Sequence, residues 1–316
     1  MTTTFPSYIV DAFTKQPFKG NQAAVCLIPK VLANNEYQTI AAEFNLSETA
    51  FPVPLDGDYR TATRFSLRWF TPMVEVPLCG HATLATSHVL FYEIGNVNEK
   101  ILFTTKSGEL VVNKSSNGTV SMNFPQYSIY SLHLEAKQIA GEDAFRIKEG
   151  FSFLNDLIDA LVPSVISVQA VTYAPDAKKL IITLNQETTR SQLESIVCDP
   201  KKLLSTHPSG ETIRGVMITV KPTKAKEQGF VDIDGTSYDY ASRYFAPWVG
   251  IAEDPATGSA QCCLAPYWSK LLQKQTVYAI QCFPNRGAEF EVEIPNSERV
   301  VLIGKSQTIV DGRIHI

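Results

Sequence analysis

The 316-residue chain has no apolar run long enough to cross a bilayer. Met1 to Lys15 has neither a basic opening nor the apolar centre of a secretion signal. A cytoplasmic protein with no membrane partner is therefore expected. Cysteine is sparse, with six residues (Cys26, Cys79, Cys198, Cys262, Cys263, Cys282) and no C-x-x-C spacing. That excludes a secreted disulfide framework and points to reduced, mostly buried thiols. The adjacent Cys262 and Cys263 cannot bridge without severe distortion. An excess of one charge is also missing. Lys and Arg number 28 against 32 Asp and Glu, a net −4, which gives nucleic acid and anionic membranes no purchase. The one lysine-rich stretch, Lys221 to Lys226, holds three lysines beside a proline and reads as a solvated loop. Histidine is scarce too. His81 and His88 lie seven apart with no Cys or carboxylate at ligand spacing beside them, so no metal is expected. No dinucleotide fingerprint, P-loop or nucleophile elbow is present.

What is present is a diluted internal copy. Arg68-Trp-Phe-Thr-Pro72 and Arg243-Tyr-Phe-Ala-Pro247 share the pattern Arg, aromatic, Phe, small, Pro, 175 positions apart. At the same offset Val74 meets Val249, Val76 meets Ile251 and Ala85 meets Ala260. Each copy then enters a small-residue segment, Cys79-Gly-His-Ala-Thr83 or Asp254-Pro-Ala-Thr-Gly258, followed by an apolar run. Leu84 to Ile94 and Ala260 to Leu272 read as helices buried on most sides, with Pro266 kinking the second. Short strand-like runs surround them: Tyr8 to Ala12, Ala23 to Ile28, Leu110 to Val112, Val120 to Phe124, Lys179 to Leu184, Val216 to Val220 and Glu289 to Ile294. Lys106-Ser-Gly-Glu109 reads as a hairpin tip. A chance match over five positions is the competing reading, and the downstream matches weigh against it.

Together these features predict an α+β chain of two strand-rich lobes, each wrapping one helix. The boundary falls near Phe124-Pro125, giving lobes of 1–125 and 126–316, with the last strands free to pack back on the first lobe. A pseudo-twofold relation is expected to aim both helix starts at one cleft. Such starts expose unpaired N–H groups and partial positive charge, which suits an anionic small molecule or a developing enolate. Gly80, Ala82 and Thr83 on one side, and Thr257, Gly258 and Ser259 on the other, allow close approach. The bland alternatives stand beside this. Asp254-Pro255 also fits an ordinary helix cap followed by proline, and His81 also fits a packed core histidine.

Glu36 to Phe44 reads as a helix burying Ile40, Ala41 and Phe44, with Asn45 as a left-handed cap. Glu48 follows at a strand start. In an apolar cleft, desolvation raises such a carboxyl toward neutrality, as acid/base catalysis needs. The alternative is a glutamate facing solvent and pairing with a lysine.

Asp11-Ala-Phe-Thr14, Pro17-Phe-Lys-Gly-Asn21, Asn45-Leu-Ser-Glu-Thr49, Phe70-Thr-Pro72, Gly80-His-Ala-Thr83 and Glu253-Asp-Pro-Ala-Thr-Gly-Ser-Ala260 occur in the order found in the PhzF family. The chain resembles that family, and its animal branch most. The resemblance implies a diaminopimelate-epimerase-like fold and a cofactor-independent isomerase acting on a small carboxylate-bearing molecule. It further implies Glu48 as the proton-transfer residue, with His81 and Asp254 assisting. Ser47, Gly80, Gly258 and Ser259 are implied as substrate-binding residues, with neither cofactor nor metal and a homodimeric assembly. The fold's racemases use two cysteines, one at each helix start. Here Cys79 has no counterpart beside Asp254, which disfavours that chemistry. A non-catalytic metabolite- or protein-binding adaptor on the same fold is the alternative.

Overall fold

Runs rich in Val, Ile, Phe and Thr become strands throughout, because β-branched and aromatic side chains fit a pleated, half-buried surface. The computed structural model describes residues 3–115, 117–132, 151–296 and 298–316. The chain opens with β1 (Thr4–Ala12), β2 (Asn21–Cys26), α1 (Asn34–Phe44), β3 (Glu48–Pro54) and β4 (Arg64–Phe70). It continues through β5 (Glu75–Val76), α2 (Gly80–His88), β6 (Lys100–Thr105), β7 (Gly108–Lys114) and β8 (Thr119–Pro125). There follow β9 (Tyr130–Leu132), α3 (Leu154–Leu161), β10 (Val168–Ala174), β11 (Lys179–Leu184), α4 (Arg190–Glu194) and α5 (Pro200–Thr206). Then come β12 (Gly215–Val220), β13 (Tyr240–Phe245), α6 (Gly258–Leu272), β14 (Thr276–Phe283), β15 (Arg286–Glu293) and β16 (Arg299–His315). Among the described residues no helix is long and apolar enough to cross a membrane.

Two compact units result. One comprises Met1–Phe124, Asn285–Pro295 and Arg299–Ile316, and the other Pro125–Pro284 with Asn296–Glu298. The lobe drawn from the sequence as 126–316 therefore loses its last two strands to the first unit. The reason is pairing. β16 runs antiparallel to β1 from Thr4↔His315 to Ala12↔Ser306 and also neighbours β8. It closes a ring of strands in the order β1-β2-β3-β4-β6-β7-β8-β16, which leaves no exposed edge in the ring.

The second unit orders its strands β14-β13-β12-β11-β10-β9. Its pairing repeats part of the first. β2 and β3 are parallel, β3 and β4 antiparallel, and β4 and β6 parallel. Likewise β11 and β12 are parallel, β12 and β13 antiparallel, and β13 and β14 parallel. The two Arg-aromatic-Phe copies occupy equivalent strands, β4 and β13. In each, the arginine lies over the ring two residues on, 5.0 Å from Phe70 or 5.0 Å from Phe245. Each also grips a glutamate with two bonds. Arg68 reaches Glu75 at 2.8 Å twice, and Arg243 reaches Glu253 at 2.6 and 2.7 Å. These clasps tie down the loops leading to α2 and α6.

The helix expected at Leu84 to Ile94 starts earlier, at Gly80, and its last turn, Val89–Glu93, is a π-turn in which Ile94 N–H donates to Val89 O. Its polar residues are buried by bonding back along the helix. Thr83, Thr86 and Ser87 donate to the carbonyls of Cys79, Ala82 and Thr83 at 2.6, 2.7 and 2.8 Å. α2 packs against β1, β2, β3 and β16. In the second unit α6 (with Pro266 inside it) reaches β12 through Trp268 Nε1 and Thr219 Oγ1, 2.9 Å, and β13 through Tyr240 and Gln261, 2.6 Å.

The two clasps differ in burial, the Arg243 side chain being 2 % exposed and that of Arg68 22 %. Arg243 also donates to the carbonyls of Leu193, Glu194 and Ile196. Arg243→Leu is therefore expected to destabilise the protein by about 3–5 kcal/mol, because Glu253 keeps a half-buried charge without a partner. Arg68→Leu is expected to cost about 1 kcal/mol. Denaturant unfolding of both variants checks the order; equal losses contradict it.

Candidate active site

In the first unit, the site begins with the end of α1. Asn45 takes the left-handed conformation (φ 50°, ψ 35°) and its N–H donates to Ala41 O at 3.1 Å, stopping the helix as the sequence predicts. Tyr37, Ile40 and Ala41 form the helix's buried face, while Phe44 is only partly covered. Three residues after Asn45, β3 starts beside β2 with Ala23 opposite Glu48. Ser47 Oγ donates to Gln22 O at 2.9 Å, pinning the loop that delivers Glu48.

The first turn of α2 meets that loop. His81 is 5 % exposed, and its two ring nitrogens address different neighbours. Nε2 stands 3.1 Å from Glu48 Oε2 and 3.2 Å from Ser47 Oγ. Nδ1 stands 3.4 Å from Cys79 Sγ. The Glu48 contact is an ion pair, and Oε2 is buried without a hydrogen-bond partner among the described residues. Asn21, 4 % exposed, stands nearby with its Oδ1 3.5 Å from Ser47 Oγ and its Nδ2 likewise unbonded. Ser47, Glu48, Gly80 and His81 thus come together.

The electrostatics correct one expectation. Burial pushes the Glu48 carboxyl upward, but the His81 imidazolium, with the polar side chains of Ser47 and Cys79 beside it, outweighs burial, and the group is held below the usual carboxylate range. Burial disfavours charge on His81, yet Cys79 against Nδ1 and the Glu48 carboxylate against Nε2 hold it well above its ordinary 6.5. Glu48 is neither raised toward neutrality nor paired with a lysine; it is one half of a buried ion pair. Burial pushes the Cys79 thiol up and so keeps it protonated.

The donor atoms of Glu48, Cys79 and His81 lie within 4.8 Å of one another, as in a metal-ligand cluster. The thiol addresses Nδ1 and the carboxylate Nε2, on different sides of the ring. One ion would have to gather both neighbours at a single ring nitrogen. The arrangement is an ion pair on one side of the ring and a thiol contact on the other.

In the second unit, Asp254 is not the helix cap. Thr257 caps α6, and Asp254 lies three residues earlier, where it accepts from Ala256 N–H at 3.1 Å and the Thr257 hydroxyl at 2.7 Å. Gln281, fully buried, locks this turn. Its Oε1 accepts from Thr257 N–H at 2.9 Å and its Nε2 donates to Asp254 O at 2.5 Å. The N–H groups of Gly258 and Ser259 donate to nothing among the described residues. Asp254, Gly258 and Ser259 therefore share one turn.

Sequence reasoning missed three participants here. Cys79, expected only as one of the buried thiols, touches the imidazole. Gln281 carries no local signal. Lys179 is 7 % exposed, and its Nζ donates to Ser259 Oγ at 2.6 Å and lies 4.9 Å from the Tyr244 ring centroid. Its signal was a lone charge opening the otherwise uncharged run Lys179–Leu184.

A family profile described as phenazine biosynthesis-like protein matches residues 10–312. Phenazine biosynthesis-like domain-containing protein 1 of Mus musculus is 40% identical over 311 residues, 98% of each chain. An uncharacterized isomerase of Halalkalibacterium halodurans is 36% identical over 313 residues, again 98% of each. A crystal structure of a PhzF-family phenazine biosynthesis protein from Enterococcus faecalis matches with a TM-score of 0.78 and 30% identity, covering 99% of this chain and 100% of that one. The architecture is the α+β, diaminopimelate-epimerase-like fold expected.

The ion pair sets a pH window for stability. Glu48, lowered by folding, contributes fully above its ordinary 4.5 and loses its contribution as pH falls through the folded value. His81, raised by folding, contributes fully below 6.5 and loses its contribution as pH rises through the folded value. The stability advantage of the unaltered protein over Glu48→Gln is expected to peak between these two values. The His81 titration midpoint, followed by NMR of the ring protons, is expected to fall in the variant. An unmoved midpoint contradicts the pairing.

Proposed function

From the premise that the chain belongs to the phenazine biosynthesis-like protein family, we propose that it is an isomerase moving a proton between carbons of a small carboxylate-bearing substrate, with Glu48 as general acid/base. The observation that carries this reading is the buried Glu48 carboxylate, 14 % exposed, with Oε2 unbonded and an imidazolium beside it.

Held ionised, Glu48 rests as a base. When it takes a proton from carbon, the negative charge moves from the carboxylate to the substrate. The His81 imidazolium, 3.1 Å from Oε2, is attracted to the charge at either end of that transfer. A bound substrate that excludes water and adds its own negative charge raises the proton affinity of Glu48 toward what carbon acids require. Returning the proton to a different carbon completes the isomerisation with no net change in the enzyme. Ser47 and Gly80 stand beside Glu48 and His81 in the first unit. In the second unit the N–H groups of Gly258 and Ser259, which donate to nothing among the described residues, are available to an anionic group, and Asp254 holds the turn that presents them. No cofactor or metal takes part in these steps.

The test is carbon-bound deuterium uptake by a dihydro-aromatic acid incubated with the purified protein in deuterated water. Glu48→Gln is expected to lower the rate by about 10²–10⁴-fold, and prior dialysis against a chelator to leave it unchanged. Undiminished exchange in Glu48→Gln removes that residue from the mechanism. Binding with unaltered release and no exchange would instead identify a binding protein.

A further inference from the structure

One buried charge in the second unit is unused by the proton transfer. Lys179, at the start of β11, is 7 % exposed. An ammonium carries three donors. A single one is spent among the described residues, on Ser259 Oγ at 2.6 Å, and no carboxylate lies within ion-pair distance. Burying a lysine without a counter-charge is costly, and such a group persists where a ligand completes it.

Its neighbours agree. The Tyr244 ring lies beside the ammonium at 4.9 Å, a cation–π contact that steadies charge without neutralising it. The hydroxyl it holds belongs to the first turn of α6, where the N–H groups of Gly258 and Ser259 donate to nothing among the described residues. A buried cation and two free backbone donors thus converge on one helical turn. We propose that Lys179 is the counter-charge for a carboxylate of the substrate, its ammonium and the N–H groups of Gly258 and Ser259 sharing the two carboxylate oxygens. One fixed positive charge matches a monoanion; a phosphate dianion calls for more. This assignment rests on the isomerase reading and names the anchoring group of its substrate.

The groups facing Lys179 are Tyr244 on β13, Cys262 and Cys263 on α6, and Asp254 before it. Burial pushes the amine below its ordinary 10.5, and Cys263, Cys262 and Asp254 oppose that shift. Anchoring requires the ammonium, so affinity for a carboxylate must fall as pH rises through this lowered value.

Calorimetric titration of the full chain with benzoate, benzamide and inorganic phosphate tests the proposal. Benzoate is expected to bind, and Lys179→Met to weaken it by at least about tenfold, the worth of a charged hydrogen bond. Benzamide affinity should not change. Lys224→Met, which removes an exposed lysine of the same unit, should leave benzoate untouched. The pH dependence in the unaltered protein gives a second readout that does not depend on any variant folding. Equal benzoate affinity with and without Lys179, affinity constant up to the ordinary lysine range, or phosphate bound more tightly than benzoate overturns the assignment. Absence of deuterium exchange with Lys179-dependent benzoate binding intact rejects the proton transfer and keeps the anchor. Exchange that persists undiminished in Lys179→Met rejects the anchor alone.

Discussion

Burying a helix on all sides obliges every polar group on it to find a partner inside the protein. The α2 helix shows how far this reaches. Its Thr and Ser hydroxyls spend themselves on carbonyls one turn back, which makes a segment with buried Thr83, Thr86 and Ser87 compatible with a dry interior. What cannot be satisfied that way is the first turn, where donors outnumber acceptors. His81 sits there, and its two nitrogens need two neighbours. The chain supplies Cys79 from the residue before the helix and Glu48 from the start of β3. Closing the strand ring around α2 and charging its first turn are two aspects of one requirement.

The same requirement is met differently in the second unit. The turn before α6 is held by the Asp254 carboxylate within it and by the neutral Gln281, which spans Asp254 and Thr257. The buried positive charge lies on β11, at Lys179. The Arg-glutamate clasps follow the same drift. Both survive with equal geometry, but the one at Arg243 has sunk into the interior while the one at Arg68 shares Glu75 with Lys106 near the surface. Duplication preserved the backbone pairing and the clasp and left the polar chemistry of each helix start free to diverge.

Much of this was legible in the sequence because the signals were local. A left-handed Asn at position 45, a hairpin at residues 106 and 107, the Lys179–Leu184 strand and the small-residue helix starts depend on a few adjacent residues. The duplication itself could be read because Arg, Phe and Pro recur at fixed spacing. What escaped notice depends on distant partners. The direction in which Glu48 shifts is set by His81, 33 positions on, and nothing near Glu48 announces that neighbour. A lysine opening a strand is ordinarily solvated, so the burial of Lys179 needed its contacts with Ser259 and Tyr244 to be seen. The return of the last strands to the first lobe was foreseen, but not their register, since the partner β1 lies at the other end of the chain.

The pairing also decides which group at the first helix start carries the negative charge. A buried thiol resists ionisation because its charge has no solvent to rest in, and Cys79 is pushed up accordingly. Glu48 is buried nearly as well, but it has the imidazolium directly against it and is driven the opposite way. With one histidine between two candidate bases, the group with the lower intrinsic pKa takes the negative charge and the other remains neutral. Cys79 is left to accept from Nδ1 and orient the ring, which keeps Nε2 turned toward Glu48. A cysteine at this helix start thus stays a neutral thiol once a histidine follows two residues on and a glutamate opens the adjacent strand.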